Sequence, residues 1–426
     1  MLLSFSVTNF LSIQQTQTLS LVGTKLKGPH EPMPVLVQGG DNGVLPCVVI
    51  YGPNAAGKSN FIIAIHLMRR LVQQSYLVHK TDKKLPYQPF QLGDAAEPAP
   101  TTLEISFMKD GVRYDYGFSF DSKEFIEEWL YSFPEGRRRK IFERDRNYIG
   151  FGSGMRGAKK SLANFTRSDA LFVSTAAHNN HSQMKEIFEY FGSMYFCNQV
   201  NFSEHLINST FGEDEIDGRA IKFLELIGTG IVNYSQVEVD VPQSQKDMMK
   251  DLFGLIKKHV ASEDESGLEF PEPDEKEYKV RLAHRDVSGR EVYFNIEQES
   301  MGTRRLLVIL NYIFKVLDDG DLAVIDEIDA GLHTFAVEAI IDLFVDPEIN
   351  KNGAQLVATA HDTNILSPNK LRRDEIWFVE KTPPGSSEYF SLAEINSRHD
   401  ESFESLYLTG RYGALPQKPH KVFFKK

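Results

Sequence analysis

Tyr51-Gly52-Pro53-Asn54-Ala55-Ala56-Gly57-Lys58-Ser59 reads G-x-x-x-x-G-K-S from Gly52 onward, and its neighbours supply the context that this spacing requires. The apolar run Cys47-Val48-Val49-Ile50 precedes it as a strand, and Asn60 to Leu71 follows as a helix. A strand, a glycine-rich loop and a helix N-terminus in that order make an anion cradle. Backbone N–H groups and the positive end of the helix face the α- and β-phosphates of a nucleotide. Asn54, Ala55, Ala56, Gly57 and Asn60 shape the cradle. The Lys58 ammonium reaches β and γ oxygens, and the Ser59 hydroxyl is a ligand for Mg²⁺. A nucleoside triphosphate with Mg²⁺ is the expected load.

A hydrolase needs a second half to this site on a buried strand that ends in acids. Leu322-Ala323-Val324-Ile325-Asp326-Glu327 is such a strand. Asp326 is placed to hold Mg²⁺ through water, and Glu327 to orient or deprotonate the attacking water. Before it, Glu299-Ser300-Met301-Gly302-Thr303 opens an apolar-periodic helix, with Ser300 as N-cap and Gly302 letting the backbone approach an anion. This is a second phosphate-binding helix end, and one chain cannot easily bring both ends to the same γ-phosphate. After it come Ile328-Asp329-Ala330-Gly331-Leu332-His333 and a strand, Gln355 to Ala360, that ends on His361-Asp362. A histidine at such a strand end can hydrogen-bond a γ-phosphate and sense its presence.

The ordered set resembles the ABC-type ATPase heads of the SMC-like and overcoming-lysogenization-defect-like group. Its wording is similar to the ATPase subunits of two-gene phage-defence systems of the AbiL/Rlo, PARIS and Septu types. Ser6-Val7-Thr8-Asn9-Phe10, the loop 52–59, Glu299–Thr303, Ile325–His333, Ala358–Asp362 and Tyr407–Pro416 carry the likeness, which spans nearly the whole chain. The resemblance implies that Lys58 and Ser59 belong to Walker A, and Asp326 and Glu327 to Walker B. It implies that Ser300, Gly302 and Thr303 form the signature touching the γ-phosphate held by the opposite protomer. Asp329 corresponds to the D-loop, His361 to the switch histidine, and Asn9 with Phe10 to the strand leaning against the base. Leu11-Ser12 departs from the pattern, standing where many relatives carry a basic residue. The signature lacks the second glycine and the glutamine of transporter ATPases, which argues against a membrane transporter engine. Gln88 and Gln91 are both open as the Q-loop residue.

The expected fold is α/β: an ABC-type ATPase head with a mixed, largely parallel core sheet, an antiparallel second sheet and a compact helical insertion without a long coiled coil. The segments Leu103–Phe107 and Tyr114–Phe120, separated by Lys109-Asp110-Gly111, read as a hairpin of the second sheet. The expected domains are an N-terminal ATPase lobe over 1–180, a helical lid over 181–275, a C-terminal ATPase lobe over 276–395 and a tail over 396–426. Helices are expected over Met184–Phe191, Ile216–Ile227 and Lys246–Val260, followed by an acidic loop to Glu277. No heptad repeat persists long enough for a coiled coil. The cluster Asp318-Asp319-Gly320-Asp321 reads as a turn rather than a metal site.

No run is long enough to cross a bilayer as a helix and no basic leader precedes an apolar run, so a cytoplasmic protein is expected. Cys47 and Cys197 are the only cysteines, which removes a disulfide framework and a cysteine zinc site. The net charge of −12 disfavours broad phosphate-backbone binding. The basic clusters Lys80–Lys84, Arg137–Lys140 and Lys418–Lys426 each read first as a solvated face, and they leave local nucleic-acid contact open. Three function classes follow. The first is a regulatory ATPase that forms a homodimer or higher even-numbered oligomer around sandwiched ATP and controls a separately encoded effector, a nuclease or toxin, in antiviral abortive infection. The second is an SMC-like DNA-processing ATPase working with a separate nuclease. The third is a structural nucleotide-gated dimer with negligible turnover. The missing coiled coil, the short chain after His361 and the acidic balance favour the first.

Overall fold

Asp110 and Gly111 both take positive φ, 49° and 74°, and close a two-residue loop that pairs Lys109 with Val112. Hairpin loops of that length favour this backbone because it matches the strand twist, so Asp-Gly suffices to mark the turn. The computed structural model describes residues 1–34, 43–77, 84–93, 99–197, 211, 215–241, 243, 246–247, 276–395 and 402–415. The hairpin is the centre of an antiparallel sheet built from β1 (Leu2–Thr8), β2 (Gln17–Ser20), β4 (Thr101–Lys109), β5 (Val112–Phe120), β6 (Phe125–Phe133), β7 (Arg139–Asp145) and β8 (Tyr148–Phe151), in the order β2-β1-β4-β5-β6-β7-β8.

The second sheet is mixed. β3 (Cys47–Tyr51), β9 (Tyr195–Cys197), β13 (Leu322–Ile325), β14 (Gln355–Thr359) and β15 (Ile376–Thr382) run parallel, and β16 (Ser386–Ser391) pairs antiparallel with β15 at one edge. The order is β16-β15-β3-β14-β13-β9. Strands β3, β13 and β14 are buried along their whole length, as the apolar runs of β3 and β13 require, and β14 also buries Gln355 and Thr359 at its two ends. Their register sets Ile325 beside Ala358 and Thr359 beside Ile50, so the three C-terminal ends open on one crevice. Parallel α/β sheets bind ligands at that end.

The helix Lys58–Gln74 lies between the two sheets. It buries Phe61, Ile62, Ala64, Ile65, Met68, Leu71 and Val72, the stripe that a period of 3.6 brings together. Phe61 meets Phe5 of β1 edge-on at 5.4 Å and Tyr389 of β16 at 5.1 Å, which fixes the loop ahead of the helix against both sheets.

The chain divides into one unit of Met1–Gln199 with Lys315–Lys426 and another of Val200–Phe314. This differs from the expected boundaries. The helix Ser182–Gly192 belongs to the first unit rather than to a lid, because Phe191 packs on Phe107 and Tyr116 of the antiparallel sheet. The insertion is not purely helical. It contains the helix Gly218–Leu226 and an antiparallel sheet of β10 (Ile231–Asp240), β11 (Lys276–Arg285) and β12 (Glu291–Asn295). The residues from Glu299 to Thr303 fall in this second unit, not in the C-terminal ATPase lobe. Most of the expected helix Lys246–Val260 and almost all of the acidic loop lie outside the described residues.

Residues 402–415 of the segment read as a tail are tied down. Tyr407 stacks on Phe378 of β15 at 5.2 Å, Tyr412 meets the same ring tilted at 5.7 Å, and Ala414 N–H donates to Glu380. Of the cluster expected as a turn before β13, Asp318 and Asp319 instead close the helix Met301–Asp319, and the turn itself is made at Gly320, with φ 71°, where the Asn352 amide donates to the carbonyls of Leu317 and Asp318. Both cysteines are free, and burial raises the Cys47 thiol pKa. No helix among the described residues is long and apolar enough to cross a membrane.

A buried polar tie is centred on Arg372, whose side chain is 2% exposed. Its guanidinium makes a two-pronged pair with Asp374 and donates to the carbonyls of Thr24, Leu26 and His30. Arg372→Ala would leave the buried Asp374 carboxylate with only the two Thr24 donors. Breaking a buried pair from one side costs about 3 kcal/mol. The expected result is a fall in Tm of roughly 5 °C by differential scanning calorimetry; a change lost in the error of the scan would refute it.

Candidate functional site

Gly57 stands at the N-cap of the helix Lys58–Gln74 with φ 112°, and no side chain caps that helix. The first N–H groups are therefore left to an incoming anion. The cleft in front of them has a volume of about 660 Å³ and is lined by Asn54, Ala55, Gly57, Lys58, Ser59, Asn60, Glu327 and His361. Ala56 is buried behind this lining. Residues from three separate stretches of sequence thus meet at one helix end.

Lys58 turns its ammonium back onto the loop, donating to Gly52 O at 2.8 Å and Pro53 O at 3.2 Å. Burial lowers its pKa from the ordinary lysine value, with Glu327, Asp326 and Asp329 pulling the other way. A phosphate arriving in the cleft would exchange two neutral acceptors for charged ones, which shortens and strengthens the bonds.

The Ser59 hydroxyl donates to Asp326 Oδ1 at 3.2 Å. One hydroxyl and one carboxylate are the hard-oxygen pair that Mg²⁺ takes from a protein when phosphate oxygens and water complete its shell. Ser59 and Asp326 would hold the ion, which neutralises phosphate charge when bound.

Thr359 was not singled out by sequence, yet it sets the geometry of both acids that end β13, Asp326 and Glu327. Its hydroxyl donates to Asp326 Oδ1 at 2.6 Å and accepts from Glu327 N–H at 2.7 Å. Glu327 sits at φ 49°, a region where a glutamate needs such support. The bonds turn the chain sharply at the end of β13 and leave the Glu327 carboxylate 3.9 Å from His361 Nε2. His361 Nδ1 lies 3.4 Å from the Lys58 ammonium, which can only donate. The imidazole thus bridges the lysine and the glutamate with its Nε2–H toward Glu327.

Asp329 works on the same histidine from below. Its Oδ2 accepts from the N–H groups of His361 and Asp362 at 2.8 and 2.6 Å, so it fixes the turn that presents the imidazole. His333 accepts from Phe335 N–H and caps the next helix, Thr334–Val345.

Other expected residues lie elsewhere. Phe10 is 2% exposed in the core, so its ring cannot lean on a base. Asn9 takes φ 52°, donates to Ala99 O and accepts from Phe90 N–H at 3.0 Å. Its amide is spent on local structure, and the expectation of a base contact for this pair is corrected. The cleft lining includes neither Gln88 nor Gln91; Gln88 contributes its carbonyl to Leu11 N–H. In the second unit, Ser300 caps the helix Met301–Asp319 through Thr303 N–H at 3.1 Å and also bonds the Thr303 hydroxyl. Met301 beside Gly302 is 71% exposed.

A phosphate loop, a paired acid strand and a strand-end histidine on a mainly parallel sheet define an AAA/ABC-like P-loop ATPase. The family described as "AAA domain, putative AbiEii toxin, Type IV TA system" matches residues 47–149 and 221–367, more than half of the chain, and the chain belongs to that family. Among curated proteins, none matches.

Proposed function

We propose that the protein is a regulatory ATPase whose heads dimerise around sandwiched ATP and control a separately encoded effector, a nuclease or toxin, in prokaryotic antiviral defence by abortive infection. The observation that carries the hydrolytic part is the convergence of Lys58, Glu327 and His361 on the cleft beside the Ser59–Asp326 pair. Glu327 takes or orients the water proton, and Lys58 stabilises the charge on the transferring phosphate. The exposed helix end at Ser300–Thr303 supports the dimer. It is a second anion-binding terminus, suited to the γ-phosphate held by another protomer. The family's toxin–antitoxin description supports a defence setting.

An SMC-like DNA-processing role is the second reading, and one observation favours it. The basic run 137–140 leads into the antiparallel strand β7, with Arg139 and Lys140 beside Gly154 and the Arg137, Arg138 and Arg139 side chains exposed. Isolation of the tagged protein from its native operon, with and without ATP and Mg²⁺, tests both. A stoichiometric protein partner lost on nucleotide removal is the expected result. Nucleic acid without a protein partner would replace it with the second reading.

A further inference from the structure

The edge strand β16 reaches the phosphate loop from the side away from the cleft. Its Ser387 hydroxyl donates to Ala56 O at 2.5 Å, and its Tyr389 hydroxyl donates to Gly57 O at 2.6 Å. Neither side chain lines the cleft. The two carbonyls are consecutive, and each belongs to a peptide whose N–H lies on the next residue.

In a trans peptide the C=O and the following N–H point in opposite directions. Holding Ala56 O from behind therefore turns Gly57 N–H forward, and holding Gly57 O turns Lys58 N–H forward. Those two amides sit at the N-terminus of an uncapped helix, where an anion is drawn.

The hydrogens in this network have only one consistent arrangement. Ser387 Oγ has a single proton, given to Ala56 O. It must accept from its other neighbours, the Lys381 ammonium at 3.0 Å and the Ser12 hydroxyl at 2.6 Å. Ser12 Oγ, having given its proton to Ser387, accepts from the Asn60 amide at 2.6 Å. Direction is thus imposed from Asn60 through Ser12 and Ser387 to Ala56, and Lys381 makes the hydroxyl a stronger donor by polarising it. Burial keeps the Tyr389 phenol protonated and able to donate. Gly57 is required by the same approach, because a Cβ there would fall 2.3 Å from Ser387 Oγ.

We propose that Ser387 and Tyr389, supported by Ser12 and Lys381, are positioning residues that aim the Gly57 and Lys58 amides at the β-phosphate of the nucleotide. The proposal rests on the nucleotide-binding reading of the loop. It assigns a role to Ser12 that does not depend on the base, and to a hairpin that carries no motif. It also separates the tasks within the site: β16 sets diphosphate affinity, whereas Glu327 and His361 set turnover.

The test is calorimetric binding of Mg·ADP, and of Mg·pyrophosphate as a probe without a base, to the full-length protein. Ser387→Ala and Tyr389→Phe are each expected to weaken both ligands about tenfold, the equivalent of one hydrogen bond. Ser387→Thr, which keeps the hydroxyl, is expected to bind more tightly than Ser387→Ala. In steady-state assays, KM for ATP rises while kcat holds, since the lost bond serves ground and transition states alike. Tyr389→Phe retains the ring that packs on Phe61, so it answers the question if Ser387→Ala fails to fold. Wild-type affinity for both ligands in the two variants would overturn the proposal. Failure of the wild-type protein to bind any nucleotide would instead overturn the ATPase reading beneath it.

Discussion

Glu327→Gln is expected to slow ATP turnover by about 10³-fold while ATP stays bound. The amide has the shape of the carboxylate, so the Thr359 bond to the Glu327 N–H and the φ of 49° both persist. What disappears is a negative group beside His361 and Lys58 that can accept a proton from water. Its removal also relieves repulsion toward the γ-phosphate, so affinity for ATP should hold or rise. If two heads close on shared nucleotide, the variant should accumulate as an ATP-bound dimer. Phosphate release and native mass measurement read the two effects separately. Turnover within tenfold of wild type would remove Glu327 from the chemistry, and a variant that stays monomeric with ATP would sink the sandwich.

Lys58→Met should abolish useful nucleotide binding, by about 100-fold or more, because two charge-assisted bonds to phosphate are lost. Stability without nucleotide should behave differently. The ammonium is partly desolvated and held by loop carbonyls, so an apolar chain of similar length replaces it at little cost. Thermal unfolding with and without Mg·ATP gives the contrast. Wild type gains stability with the logarithm of one plus the ratio of free ligand to Kd, and the variant should gain none while its nucleotide-free Tm stays level. A variant that is stabilised by ATP as strongly as wild type would exclude Lys58 from the phosphate contact.

The parts of this molecule that sequence discloses are those whose local backbone leaves few alternatives. A phosphate loop needs its glycines at fixed spacing, a two-residue hairpin needs Asp110-Gly111, and an all-buried strand needs an apolar run such as Leu322–Ile325. The segment Gln236–Asp240 also alternates with a period of two, but its partner β11 follows only after a long intervening stretch, so no turn signal announces the pair. Asn9 and Phe10 show the opposite failure. Their motif is real, yet Phe10 serves the core and Asn9 holds the segment around Phe90. Thr359 could have been found, because a hydroxyl ending the strand before His361 lies level with the acids in the parallel register. Ser12 and Ser387 could not, since nothing local marks two serines brought together from opposite ends of the chain.

That meeting of distant serines has a consequence in time. During synthesis the loop at 52–59 emerges early, with its lysine and its glycines already in sequence. The strand that holds its carbonyls leaves the ribosome more than three hundred residues later, a wait of roughly fifteen seconds to a minute at ordinary elongation rates. On the role proposed for β16, the loop spends that interval without the two hydroxyls that hold its carbonyls, and its full affinity for a diphosphate arrives as that strand docks.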